Sequence, residues 1–209
     1  MKSFSITQLE QARKNPAEFA KLLKSGGTLT QGGFGYPKSL RWLNAACKFH
    51  LNHQIADAIT CIEDGFMSRK DTSKNRKEVA TFIEALHNYE EQITRRKLIL
   101  IRSRELVNIP LSPTVRLSGQ IPLIFMNPLG GFLALFVSLP NQNWEGELKF
   151  PIIQDYIAKT VFNTDSSNVG VGYVDYYSGT FYETTYSEAE LTSFRGEIDD
   201  IGRVITINL

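Results

Sequence analysis

Cysteine is scarce in this 209-residue chain, and the two present, Cys47 and Cys61, both fall in a stretch that reads as helix. That excludes a disulfide-dense extracellular scaffold and makes a reducing compartment, the cytoplasm, the expectation. Long apolar runs are missing as well. The longest, such as Leu129 to Leu139, falls far short of the roughly 20 residues that cross a bilayer. The N-terminus, Met1-Lys2-Ser3-Phe4-Ser5, lacks the apolar core of a signal peptide, so no membrane partner is expected. What is present is ordinary: 42% apolar and 22% charged residues, which excludes wholesale disorder and allows a sizeable core.

The formal net charge of +1 conceals a split. Up to Arg104 there are 18 Lys and Arg against 10 Asp and Glu; from Glu105 onward there are 5 against 12. A basic half suits a polyanion, and an acidic half can dock a basic surface. Two solvated faces of one domain account for the split equally well.

The first half reads as helical and the second mostly as strands. Thr7 with Glu10 has the spacing of a capping box, and Asn15-Pro16-Ala17-Glu18 repeats it with proline at the first helical position. That second helix passes through Phe19, Leu22 and Leu23 and stops at Gly26-Gly27. The loop Gly32-Gly33-Phe34-Gly35-Tyr36-Pro37 has irregular glycines and no Lys-Ser/Thr pair, so a phosphate cradle is not expected. From Ser39 to about Asp64, apolar residues recur at three and four, which predicts one long amphipathic helix. A polar, basic connector spans Arg69 to Lys77, and a further helix ends in Arg95-Arg96-Lys97. Leu98 to Ile101, Thr114 to Phe125 and Phe132 to Leu139 predict strands, the last apolar enough to lie inside a covered sheet. Phe150 to Phe162 reads as helix, and residues 169–186 as a hairpin around Ser178-Gly179. Ser187 with Glu190 caps a last helix, and Val204 to Asn208 reads as a final strand. No linker parts the chain, so a single α/β domain over 1–209 is expected, mainly helical over 1–97 and sheet-containing over 98–209.

Few residues suggest chemistry. Cys47, His50, His53, Asp57 and Cys61 are the obvious metal suspects, but on one helix His50 and Asp57 stand two turns, about 10 Å, apart. No metal and no cofactor is expected there; Cys47 reads as core and His50 as a boundary residue. Gly-x-Ser-x-Gly is absent, and no Ser, His and acid set has motif spacing. Tyr173, Tyr176, Tyr177, Phe181, Tyr182 and Tyr186 could stack bases, but acidic neighbours favour a role inside the sheet. Arg69, Lys70, Lys74, Arg76, Lys77, Arg95, Arg96 and Lys97 form two basic clusters bracketing one helix. As a nucleic-acid site they would contact phosphates rather than bases.

In order, the parts resemble the RecB-type branch of the PD-(D/E)XK nuclease superfamily. Ser5-Ile6-Thr7-Gln8-Leu9 and Asn15-Pro16-Ala17-Glu18-Phe19 stand where that branch opens. Gly119-Gln120-Ile121-Pro122 leads a strand, Leu133 to Ser138 forms the next, Gln154 lies in the following helix, and the tyrosine hairpin comes after. The resemblance implies a restriction-endonuclease-like fold: a helical N-terminal portion, then a mixed central sheet flanked by helices. It also implies carboxylates on a divalent ion and a lysine beside the attacking water.

The residues depart from that chemistry. Pro122 stands where the first metal-binding Asp belongs, Phe136 and Ser138 where the second acid and the lysine belong, and Ala158 where a tyrosine belongs. Glu105 and Gln154 alone keep the expected type. The implied reading is a pseudonuclease, a nucleic-acid-binding or assembly subunit of a genome-maintenance or defence complex with a larger protein partner. Two alternatives stay open. In one, Glu147-Leu148-Lys149 spells Glu-x-Lys with Glu145 before it and Asp155 after, giving an active nuclease that uses Mg²⁺ or Mn²⁺. In the other, the chain is an adaptor between proteins with no nucleic-acid role.

Overall fold

The computed structural model describes residues 1–26, 37–67, 71–139 and 143–209. The loop at Gly32-Gly33-Phe34-Gly35-Tyr36, and Arg69 and Lys70 of the first basic cluster, lie outside the described residues. The chain opens with β1 (Lys2–Ser5), α1 (Leu9–Lys14) and α2 (Pro16–Lys24). Three longer helices follow: α3 (Lys38–Asn52), α4 (Ile55–Met67) and α5 (Ser73–Arg96). An antiparallel meander comes next: β2 (Ile99–Pro110), β3 (Val115–Met126) and β4 (Phe132–Ser138). Helix α6 (Lys149–Tyr156), running on as a π-turn over Ile157–Val161, returns the chain to β5 (Val169–Asp175), parallel to β4. A hairpin adds β6 (Phe181–Thr184), and α7 (Glu188–Asn208) closes the fold.

The sheet is mixed and covered on both faces. Helices α3, α4 and α5 pack on one face, onto Leu123, Phe125, Leu133, Leu135 and Val174. Residues from α1, α2, α6 and α7 cover the other, onto Ile121, Ile124, Ala134, Phe136, Val171 and Tyr173. Strand β4 therefore alternates as a strand buried on both sides must, Leu133 and Leu135 to one core and Ala134 and Phe136 to the other.

Strand β3 has two partners on one edge. Residues Val115–Ser118 pair with β1, and Leu123–Met126 pair with β4. The change falls at Pro122, which has no amide hydrogen to give a neighbouring strand. Core faces switch there too: Val115, Leu117 and Ile121 face the α7 side, whereas Leu123 and Phe125 face the α3 side. Opposite Pro122 on β2 lies Arg104, whose φ of 55° is left-handed; its guanidinium donates a hydrogen bond to Asn44 of α3.

Five sequence expectations need correction. The helix expected over 39–64 is two helices, because His53 takes φ 54° and closes α3 as a left-handed cap. The strand expected at 98–101 runs to Pro110, and the basic connector is already helix from Ser73. The capping box at the N-terminus is Ser5 with Gln8, two residues earlier than Thr7 with Glu10. Val204–Asn208 is the end of α7, not a strand: Ile201 and Ile205 are buried one turn apart on the helix face that meets the core. Asn15 caps α2 through the Glu18 N–H with Pro16 in the first turn, although the Glu18 carboxylate pairs with Lys21 rather than closing a capping box. Gly26, the Ser178-Gly179 turn and the Ser187/Glu190 capping box match the structure.

Candidate functional site

Two of the positions that the resemblance marks as degenerate, Pro122 and Phe136, flank the place where the sheet splits. Pro122 directly precedes the last β3–β4 pair, Leu123 with Leu135, and Phe136 directly follows it. Phe136 is buried and meets Phe150 of α6 edge-to-face at 5.7 Å. The Lys149 ammonium stands 4.7 Å from the Phe150 ring centre and 5.6 Å from that of Phe136, and pairs with Glu147 at 2.7 Å. Glu147 and Lys149, the literal Glu-x-Lys, thus fold back over the very place that the resemblance assigns to the catalytic carboxylates. Both are about four-fifths buried.

Neighbouring elements fix that turn. Glu10 of α1 accepts the Leu148 backbone N–H at 2.7 Å, and Arg13 donates to the Gly146 carbonyl at 2.8 Å. Arg13 also grips Glu197 of α7 through Nε at 2.6 Å and Nη2 at 3.0 Å, a bidentate pair between the first helices and the last. Tyr186 donates to the Glu145 carbonyl at 2.6 Å, and burial raises its phenol pKa well above the usual range. Trp144 packs edge-to-face on Phe150 and Tyr173. Arg13 and Glu197 did not stand out in the sequence, and Glu10 did so only as a capping-box partner of Thr7, whereas it holds the Leu148 N–H instead. Only the charge split between the halves hinted that a basic N-terminal helix would dock an acidic C-terminal one.

The other expected residues lie apart from this turn. The Glu145 side chain is exposed. Asp155 pairs with Arg195 at 2.6 Å and Lys159 at 2.9 Å; burial opposes its ionisation, but those cations outweigh it and hold its pKa below the usual value. Gln154 is wholly buried and structural: its amide donates to the Tyr186 and Ser166 carbonyls and accepts the Tyr186 N–H. Glu105 pairs with Arg102 on β2, one full strand away from β4. Ser138 faces Asp175 across the β4–β5 ladder, where Asp175 accepts Tyr177 N–H and Ser178 O–H within its own turn. Among the described residues no group of three or more His, Cys, Asp or Glu is placed to hold a metal ion.

Most of the aromatic hairpin packs into the core, with Tyr182 at its exposed edge. Tyr173 is buried and stacks on Tyr182 at 4.9 Å, while Tyr176 and Tyr177 pack on Phe82 of α5. The basic clusters sit at the two ends of α5. Arg76 pairs with Asp71 at 3.0 Å and Arg96 with Glu183 at 2.7 Å. Lys74, Lys77, Arg95 and Lys97 are exposed, but Glu84 and Glu91 lie on the same helical stripe between Lys77 and Arg95. A polyanion laid along α5 would cross those carboxylates. No helix among the described residues is long and apolar enough to cross a membrane. Comparison of the sequence with protein-family models and with curated proteins found no match.

Proposed function

We propose that this chain is a non-catalytic protein on a nuclease-like α/β scaffold that works by docking to a larger protein rather than by cutting nucleic acid. The observation that carries the reading is the Lys149 ammonium held over the Phe136 and Phe150 rings and neutralised by Glu147. A lysine so placed has its charge spent on an aromatic face and a carboxylate, and the carbon rings beside it offer no ligand to a hard divalent ion. The order helix, three-stranded meander, helix and parallel strand supports the scaffold half of the proposal. The acidic stripe on α5 supports a protein partner over a polyanion.

The test is direct. The purified chain should leave single- and double-stranded DNA and RNA intact in Mg²⁺ or Mn²⁺, with no heat of metal binding by calorimetry. It should also bind no nucleic acid at low salt, where electrostatic attraction is strongest. Cleavage lost on Glu147→Ala would overturn the reading. Salt-sensitive binding that weakens on reversing Arg95 and Arg96 to Glu would replace the protein partner with nucleic acid.

A further inference from the structure

A second cavity, remote from the Lys149 turn, lies where α3 and α5 end against the start of β2. It measures about 500 Å³, within the size range of small-molecule sites. Its walls include Phe49, Ile93 and Leu100, and its polar side chains are His50, His53, Thr94 and Lys97. His53 and Lys97, the left-handed caps of the two helices, stand at this end, and no lining residue is acidic.

The hydrogen bonding of His50 defines what the cavity can accept. Tyr89 is fully buried, and its hydroxyl meets His50 Nε2 at 2.7 Å. A buried phenol must place its proton on an acceptor, and His50 Nε2 is the acceptor in reach. Tyr89 therefore donates, Nε2 accepts, and the ring hydrogen resides on Nδ1. Among the described residues Nδ1 has no hydrogen-bond partner, and it is not sealed from accessible space. His50, which lines the cavity together with His53, Thr94 and Lys97, thus keeps one N–H donor for a ligand.

We infer that this cavity is a binding site for a small organic carboxylate, its apolar body against Phe49, Ile93 and Leu100 and its carboxylate taken by His50 Nδ1–H and Lys97. Two helix C-termini oppose an anion here. Part of that is already offset: His53 N–H satisfies the Phe49 carbonyl, and Lys97 and Leu98 N–H groups satisfy those of Thr94 and Ile93. The Lys97 charge and a charge-assisted hydrogen bond from His50 outweigh the remainder.

Hexanoate is a suitable probe, with 1-hexanol as its uncharged counterpart, and NMR of the whole chain as readout. Burial and, secondarily, the neighbouring His53 lower the His50 pKa to about 4; no carboxylate of the chain lines the cavity to raise it. Millimolar hexanoate should shift the His50 ring signals and raise that pKa, whereas hexanol should bind at least about tenfold more weakly. Ile93→Trp, which fills the cavity, should abolish the effect. Lys97→Asn, a surface change that keeps a residue tolerant of left-handed φ, should weaken hexanoate several-fold and leave hexanol alone. No response at His50, equal affinity for the two probes, or unaltered hexanoate binding in the Lys97 variant overturns the assignment.

Discussion

At Gly179 the backbone takes φ +71°, and an added Cβ would fall inside the van der Waals envelope of the Ala85 carbonyl oxygen and 2.8 Å from the Tyr89 nitrogen. The β5–β6 turn thus rests directly on the backbone of α5, fastened by Asn88 donating to the Ser178 carbonyl at 3.0 Å. Gly130 in the β3–β4 turn has φ +82° but nothing within 4 Å of such a Cβ. The pair separates conformational strain from contact. Gly130→Ala should cost about 1 kcal/mol, the left-handed penalty alone. Gly179→Ala must also lift the hairpin off α5, and should cost at least about 2 kcal/mol more, a further drop of about 4–8 °C in melting temperature. Equal costs for the two variants would mean that the hairpin does not rest on α5 as described.

Among elements, legibility followed burial. The near-continuous apolar run of β4 has one solution, a strand covered on both sides, and its face assignment was readable residue by residue. Replacing Phe136 with Ala removes a buried ring that Phe150 and Lys149 both contact, and should cost about 3–5 kcal/mol in chemical denaturation. A loss under about 1 kcal/mol would place Phe136 outside the core. Strand β2 was legible only at its start, because it is an edge strand and most of its side chains face water. Its sequence carries edge protection instead of periodicity: a register shift between Leu100 and Arg102, charges at Arg102, Arg104 and Glu105, and left-handed φ at Arg104. The break between α3 and α4 was hidden because apolar spacing continues across His53, a residue type with no strong breaker signal. At the end of α7, β-branched Val204, Ile205, Thr206 and Ile207 favour a strand locally, and the Ser187 capping box with tertiary burial overrides them. That Pro122 and Phe136 supply no metal ligand was legible from the residues themselves. That Lys149 would stand over Phe136 was not, since a turn held by Glu10 and Arg13 from the far end of the chain brings it there.

For the whole molecule, proton binding links these local features to global stability. His50 lies against the core formed by Phe49, Tyr89 and Phe125, and its folded pKa of about 4 is below the usual 6.5. Above pH 6.5 the imidazole is neutral in both folded and unfolded chains and contributes no pH dependence. Between 6.5 and 4 the unfolded chain takes up a proton that the folded chain refuses, so stability falls as pH falls. Below 4 both forms are protonated and the loss levels off, at about 3 kcal/mol in all. Asp155 acts in a lower window: its folded pKa lies below its unfolded value, so its contribution is present above the normal carboxylate pKa of 3.8 and is lost only as pH drops through the folded value. Acid destabilisation should therefore come in two stages, histidine first. Urea unfolding of wild type at pH 7, 6, 5 and 4 should show the first stage, and His50→Gln, which keeps a hydrogen-bonding group for Tyr89 but cannot titrate, should flatten it. Loss below the carboxylate range should persist in that variant and be reduced by Arg195→Met, which removes the stronger partner of Asp155. A wild type equally stable at pH 7 and 4.5, or a His50 variant with the full slope, would show that the imidazole is not held neutral in the core.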